Sequence, residues 1–166
     1  MASLLVLADE NLLIPVLQSV PETIANINVT MGYPLKNTPT NNFFEIYFVA
    51  LVNAERFGNK GELTYHHKDL LKLFQLPYSQ IVFGKDKCYE IKQHIIKHNW
   101  VFINKEKIDW INEHTENAFA LNYTVNSTLN QTLKFIEKGK QHYISTKSNE
   151  EKSTLELEYL FQYAKL

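Results

Sequence analysis

One cysteine, five glycines and a single arginine in 166 residues remove several kinds of chemistry at the outset. The lone Cys88 excludes an intramolecular disulfide framework and any zinc site with two or more Cys ligands. It fits a reducing compartment, so the expected location is cytoplasmic. Glycine is too scarce for a phosphate cradle. The sequence has no G-x-x-x-x-G-K-[ST] loop, no G-x-G-x-x-G after a strand and no G-x-S-x-G elbow. An autonomous enzyme is therefore disfavoured, and no catalytic, cofactor-binding or metal-ligating residue is assigned. Of the 17 basic residues, 16 are Lys. Arg is the preferred bidentate reader of phosphates and base edges, so its scarcity argues against sequence-specific DNA recognition. No apolar run approaches the ~20 residues that span a bilayer. Residues 4–7 are too few for a signal-peptide core and lead into Asp9 and Glu10. No membrane partner is expected.

What remains is enough for a fold. The chain is 45% hydrophobic and 13% aromatic, with 21% charged residues. That composition buries a core without staples and argues against disorder. The net charge of −1 conceals an uneven distribution. Residues 1–55 carry Lys36 against five acids, a net of −4. Residues 56–107 carry Arg56 and nine Lys against five acids, a net of +5. Residues 108–166 carry six Lys against eight acids, a net of −2. A basic middle is suited to phosphates; a solvated helix face is the simpler account of it and the favoured one.

The periodicity predicts an α+β chain dominated by helices, with a short β-α-β start and about six helices after it. Leu4, Leu5, Val6, Leu7 and Ala8 form an unbroken apolar run that reads as a buried strand. Residues 10–20 follow with helical spacing at Leu12, Leu13, Val16, Leu17 and Val20. Residues 27–31 alternate and read as a second strand. The start, residues 1–36, is thus set apart from a helical region, 37–166. Thr38-Pro39 reads as an N-cap followed by Pro at the first helical position. The helix it opens is apolar nearly all round, through Phe43, Phe44, Ile46, Tyr47, Phe48, Val49, Leu51 and Val52, and is expected to be central. Further helices are predicted over residues 68–75, 78–83, 88–102, 105–112 and 126–138. The last of these carries Leu129, Leu133 and Ile136 on one stripe. A capping box at residues 148–151 opens another, with Leu155, Leu157, Leu160, Phe161 and Ala164.

The residues able to carry chemistry are few. His94 and His98 stand i, i+4 on a predicted helix and share a face, but without the Glu of H-E-x-x-H they make a poor metal site. The adjacent His66 and His67 point apart in a helix and share a metal poorly. Asp9 and Glu10 follow the first predicted strand, where carboxylates hold metals in some α/β enzymes; helix capping explains them as well. Cys88, beside Lys85 and Lys87, admits either a depressed thiol pKa or a structural role.

The opening block reads Val6-Leu7-Ala8-Asp9-Glu10-Asn11-Leu12-Leu13-Ile14-Pro15-Val16-Leu17-Gln18-Ser19-Val20-Pro21. It continues at Val29-Thr30-Met31-Gly32-Tyr33-Pro34-Leu35-Lys36-Asn37-Thr38-Pro39. This block resembles the second motor domain of superfamily 1 helicases around motif IV. It resembles most closely the AddB/RecB-like helicase–exonucleases of Bacteroidetes type, whose chains end in a PD-(D/E)xK nuclease. Asp9 and Glu10 stand where that motif carries Arg or Gln. The resemblance implies a piece of a longer double-strand-break repair protein, holding part of the second motor and its helical accessory insertion. ATP and Mg²⁺ are then expected in the parent protein and no cofactor in this stretch. The implied partners are duplex or single-stranded DNA and a partner helicase–nuclease subunit. The candidate phosphate contacts are Lys36, Asn37 and Thr38 at a helix start, where free N–H groups favour anions, together with Lys85, Lys87, Lys92 and Lys97. The alternative is a helical protein-interaction module with no nucleic-acid role, for which the neutral total and the many aromatic residues speak.

Overall fold

The computed structural model describes residues 6–21, 23, 24, 27, 36, 38–59, 62–119, 124–146 and 160. These residues are predominantly helical with one small antiparallel sheet, an α+β architecture. The chain divides into two compact units, Met1–Thr38 and Pro39–Leu166.

In the first unit a 3-10 turn, Glu10–Leu12, leads into α1, Leu13–Ser19. The Asp9 carboxylate accepts hydrogen bonds from the backbone N–H and the side-chain amide of Asn11, each at 2.9 Å. Asp9 is therefore a helix-start residue. The strand expected over residues 4–8 is corrected where it is described: residues 6–8 adopt no strand and Val6 is 80% exposed. Leu4 and Leu5 lie outside the described residues. Of the second expected strand only Ile27 is described; it is exposed and outside any strand, and residues 28–31 lie outside the described set. Short apolar runs carry no information about a pairing partner, and a two-stranded parallel pair is not stable by itself.

The second unit is built on α2, Pro39–Phe57. Pro39 occupies the first helical position, where its missing N–H costs nothing. One face of α2 is buried through Phe43, Phe44, Ile46, Tyr47, Ala50, Leu51 and Ala54. The other face is not. Phe48, Val49 and Val52 are 37%, 50% and 46% exposed, so the expectation of a helix covered all round is corrected. Three elements pack on the buried face: β1 (Tyr65–His66), α3 (His67–Gln75) and α4 (Pro77–Phe83). α5 (Lys85–Lys97) lies against α3 and α4, and α6 (Lys105–Thr115) lies against α5. α7 (Val125–Thr146) packs on α4.

The interior is a lattice of rings. Phe43 lies 5.1 Å from Tyr78, 5.2 Å from Phe44 and 5.5 Å from Phe135, centroid to centroid. Tyr47 meets Phe135 edge-on at 5.2 Å, and Phe83 does so at 5.5 Å. Edge-to-face pairs of this kind contribute beyond the area they bury. Two buried tyrosine hydroxyls are satisfied: Tyr47 donates to the Ala118 carbonyl at 3.3 Å and Tyr78 to the Phe135 carbonyl at 3.1 Å. Gly139 makes room for the second of these, because a Cβ there would sit 2.2 Å from the Tyr78 hydroxyl. Gly84 joins α4 to α5 with φ of +91° and ψ of 140°, a conformation that side-chain-bearing residues avoid.

Two helix ends correct the boundaries read from periodicity. α5 stops at Lys97, five residues before the expected end at 102. Asn99 is left-handed with φ of 49°. Its N–H reaches the Ile96 carbonyl at 3.1 Å, and the Trp100 N–H reaches the Ile95 carbonyl at 3.0 Å. That is a Schellman stop with Asn at its left-handed position. Phe102 and Ile103 then form β2, antiparallel to β1 with Tyr65 opposite Ile103 and His66 opposite Phe102. At α7 the cap is Thr124, two residues before the expected start at 126. The Ser127 N–H donates to Thr124 Oγ1 at 3.1 Å, and the Thr124 N–H donates to Ser127 Oγ at 3.2 Å. This is a reciprocal capping box with Ser in the usual Glu position. The expected stripe on α7 is also shifted: Leu129 and Leu133 are exposed, while Phe135 and Ile136 are buried. The capping box and helix expected from residue 148 onward lie outside the described residues, except Leu160, which is helical and buried.

Candidate nucleic-acid interface

The candidate contacts fall into two groups. Lys36 and Thr38 belong to the first unit. Lys36 is exposed, whereas Thr38 is only 2% exposed, which takes its hydroxyl out of reach of a solvent-borne phosphate. Asn37 lies outside the described residues. The other group, Lys85, Lys87, Lys92 and Lys97, is carried entirely by α5. Lys85, Lys87 and Lys97 are exposed and Lys92 is half-buried. None of the four forms an ion pair with a described residue. At about 100° of rotation per residue, Lys85 and Lys92 lie close together, with Lys97 and Lys87 further round. The lysines therefore surround the exposed side of α5 and do not line up along it. The buried side, through Cys88, Ile91 and Ile95, faces the core.

The Schellman stop brings a second set of residues to this helix. His94 stacks on His98 with centroids 3.9 Å apart and 28° between planes. On its other side it stacks on Trp110 of α6, also at 3.9 Å and at 20°. Trp110 in turn lies 4.2 Å from His114. The four rings form one column, His98–His94–Trp110–His114, that joins α5 to α6. Trp100, folded back by the helix stop, meets the His94 ring edge-on at 4.8 Å and carries the Lys107 ammonium 5.8 Å from its centroid. The column's orientation is fixed from the backbone. His98 Nδ1 lies 2.9 Å from the His94 carbonyl, and His114 Nδ1 lies 2.8 Å from the Trp110 carbonyl. Since a carbonyl only accepts, each Nδ1 carries the proton. His114 Nε2 faces the Glu90 carboxylate at 3.6 Å. Desolvation lowers the His94 pKa below the ordinary imidazole value; His98, His114 and Lys97 add to this and Glu90 opposes it.

Beside the column runs an open groove of about 560 Å³, lined by Tyr89, Glu90, Gln93, His94, Ile96, Lys97 and His98. Tyr89 and Ile96 are exposed by 62% and 60%, so the groove has apolar lining beside Lys97 and Glu90. Sequence reasoning found His94, His98 and Lys97 but missed Trp100, Trp110, His114 and Tyr89. A signal was present: Trp110 and His114 repeat the i, i+4 spacing of His94 and His98, and two such ring pairs on successive helices are suited to interleave.

The remaining candidates resolve into structure. Cys88 is buried, its thiol donates to the Ser79 carbonyl at 3.4 Å, and burial pushes its pKa up to about 11. Burial and this bond favour the structural role over the activated thiol. His66 packs on Phe57 and Phe102 at 5.8 and 5.6 Å, and burial lowers its pKa. His67 Nδ1 lies 3.1 Å from the Val101 carbonyl. Among the described residues no group of three or more His, Cys, Asp or Glu side chains is placed to hold a metal ion. Nor is any described helix long and apolar enough to cross a membrane.

No family model matches this chain, and neither a curated protein nor a solved structure does.

Proposed function

We propose that this chain is a non-catalytic accessory region of an AddB/RecB-like helicase–nuclease, and that it contacts DNA through α5. On this reading the ATP- and Mg²⁺-dependent chemistry of double-strand-break processing belongs to the rest of a cytoplasmic parent protein, and a partner subunit is its other contact. The observation that carries the reading is the set of four lysines on α5 that form no ion pair with a described carboxylate, in the segment with a net of +5. The resemblance of residues 6–39 to the motif IV region points the same way. Lysines without ion-pair partners are suited to displace counterions from a phosphate backbone, and that contribution is strongly salt-dependent.

The test is a titration of the chain with labelled duplex and single-stranded oligonucleotides at about 50 and about 200 mM salt. Four phosphate contacts predict a loss of affinity of about 50- to 150-fold between the two. Failure to bind either oligonucleotide at low salt overturns the reading. The second reading, a protein-interaction module, is favoured by the apolar stripe Val125, Leu129 and Leu133 on α7, exposed by 66%, 56% and 53%. It predicts that substituting these three with Gln abolishes capture of a partner subunit while leaving any DNA affinity unchanged.

A further inference from the structure

We infer that the open face of His98 is a stacking platform for an unpaired nucleobase, and that Lys97 takes the phosphate beside it. The inference rests on the reading of DNA contact and deepens it, by naming single-stranded nucleic acid as the form that is bound.

The two ends of the ring column differ. At one end His114 turns its Nε2 to the Glu90 carboxylate. At the other, His98 is exposed. Its inner face is covered by His94, and among the described residues its ring otherwise meets only Trp100, tilted by 42° at 6.0 Å. A column of two stacked pairs and one tilted pair thus ends at a ring on whose outer face no described ring stacks. That ring is held in orientation by the bond between its Nδ1 and the His94 carbonyl. A flat heteroaromatic group adds to such a column at the same spacing and displaces water from a surface already desolvated on its other side. The groove alongside is open to solvent and gives a base room to lie beside the column. Ile96 and Tyr89 offer apolar contact to the edges of the base and sugar. Charge selects the ligand further. Lys97 is exposed and forms no ion pair with a described residue, while Glu90, which also lines the groove and pairs with His114, repels a phosphate from its own side. The backbone is therefore expected on the Lys97 side. Duplex bases have both faces covered by their neighbours, so only an unpaired base can extend the column.

Trp100 and Trp110 are the only tryptophans in the chain, and both touch the column. Intrinsic fluorescence therefore reports its occupancy without a label. The intact chain is titrated at low salt with a single-stranded thymidine oligomer, an abasic oligomer of equal length and charge, and a duplex. The expected result is quenching by the thymidine oligomer, with affinity about 5- to 30-fold above that for the abasic one, since a stacked base contributes about 1–2 kcal/mol. His98→Ala is expected to erase that difference, and His98→Phe to restore it. Lys97→Gln is expected to weaken both single strands equally. Thermal melting of each variant checks that the fold is kept. Equal affinity for thymidine and abasic oligomers overturns the platform while leaving DNA contact standing. So does an unchanged preference in His98→Ala, or tighter binding of duplex. Failure to bind any of the three overturns the platform and the DNA reading together.

Discussion

Rings are gathered in two places in the second unit, and the two are built on opposite terms. In the interior, Phe43, Tyr47, Tyr78, Phe83 and Phe135 come from α2, α4 and α7 and are at most 5% exposed. Their contacts are largely edge-on or tilted, and the two tyrosine hydroxyls end on backbone carbonyls. On the surface, His98, His94, Trp110 and His114 lie largely face to face and retain ring edges able to meet a ligand. The interior rings are fixed by close packing from every side. The column is fixed by two neighbouring helices and two bonds to their own backbone. A ring that is packed on all sides serves stability alone. A ring packed on one face keeps the other for a partner.

The comparison predicts a graded response. The largest effect is expected at the centre of the interior. Phe43→Ala removes a fully buried ring that touches five others and is expected to cost about 3–5 kcal/mol in urea unfolding. A loss below about 1 kcal/mol would show that the lattice is not the core. Next is Asn112, whose buried amide donates to the Phe119 carbonyl at 2.8 Å and accepts from the Phe119 N–H at 2.9 Å. Asn112→Ala orphans both backbone groups. The expected cost is about 2–3 kcal/mol in the same measurement, and Asn112→Asp, which cannot donate when ionised, is not expected to rescue it.

The smallest effect is expected at the column, and it depends on pH. The His94 and His66 pKa values are lowered in the folded chain. The unfolded chain therefore binds protons first as pH falls below the ordinary imidazole value of about 6.5. Stability is accordingly complete above that value and declines on acidification until the folded pKa values are passed. Melting temperature is expected to drop between pH 7.5 and 5.5. His94→Phe keeps the stack and removes the titration, so it should flatten part of that drop. An unchanged pH profile in His94→Phe would separate the column from the acid sensitivity.

Much of the helical plan was legible in the sequence. Pro39 and the apolar spacing after it located α2, and Pro77 separated α3 from α4, because proline and helical periodicity act within a turn or two of chain. The failures were of a different kind. The stretch 99–103 kept apolar residues at helical spacing through Val101 and Phe102, yet left-handed Asn99 ended the helix. Leu129 and Leu133 continued a stripe that the core does not reach. In both cases hydrophobicity marked a residue able to be buried, and the neighbours decided whether it was. The candidate interface was half legible: Lys97, His94 and His98 stood out by charge and spacing, while Trp110 and His114 depended on where α6 would lie.

The sequence by itself determined the helical class, the positions of most helices, the absence of phosphate-loop and nucleophile motifs, and the excess of lysine in the middle third. These follow from composition and from periods shorter than two turns, which any chain with these residues carries wherever it folds. Only the tertiary structure decided that β1 pairs with β2, that Cys88 is buried, that Phe48 and Val52 face outward, and that two ring pairs from different helices merge into one column ending at His98. Each of these depends on contact between residues distant in the chain, and such contacts are set by how the helices pack against one another and not by any local preference.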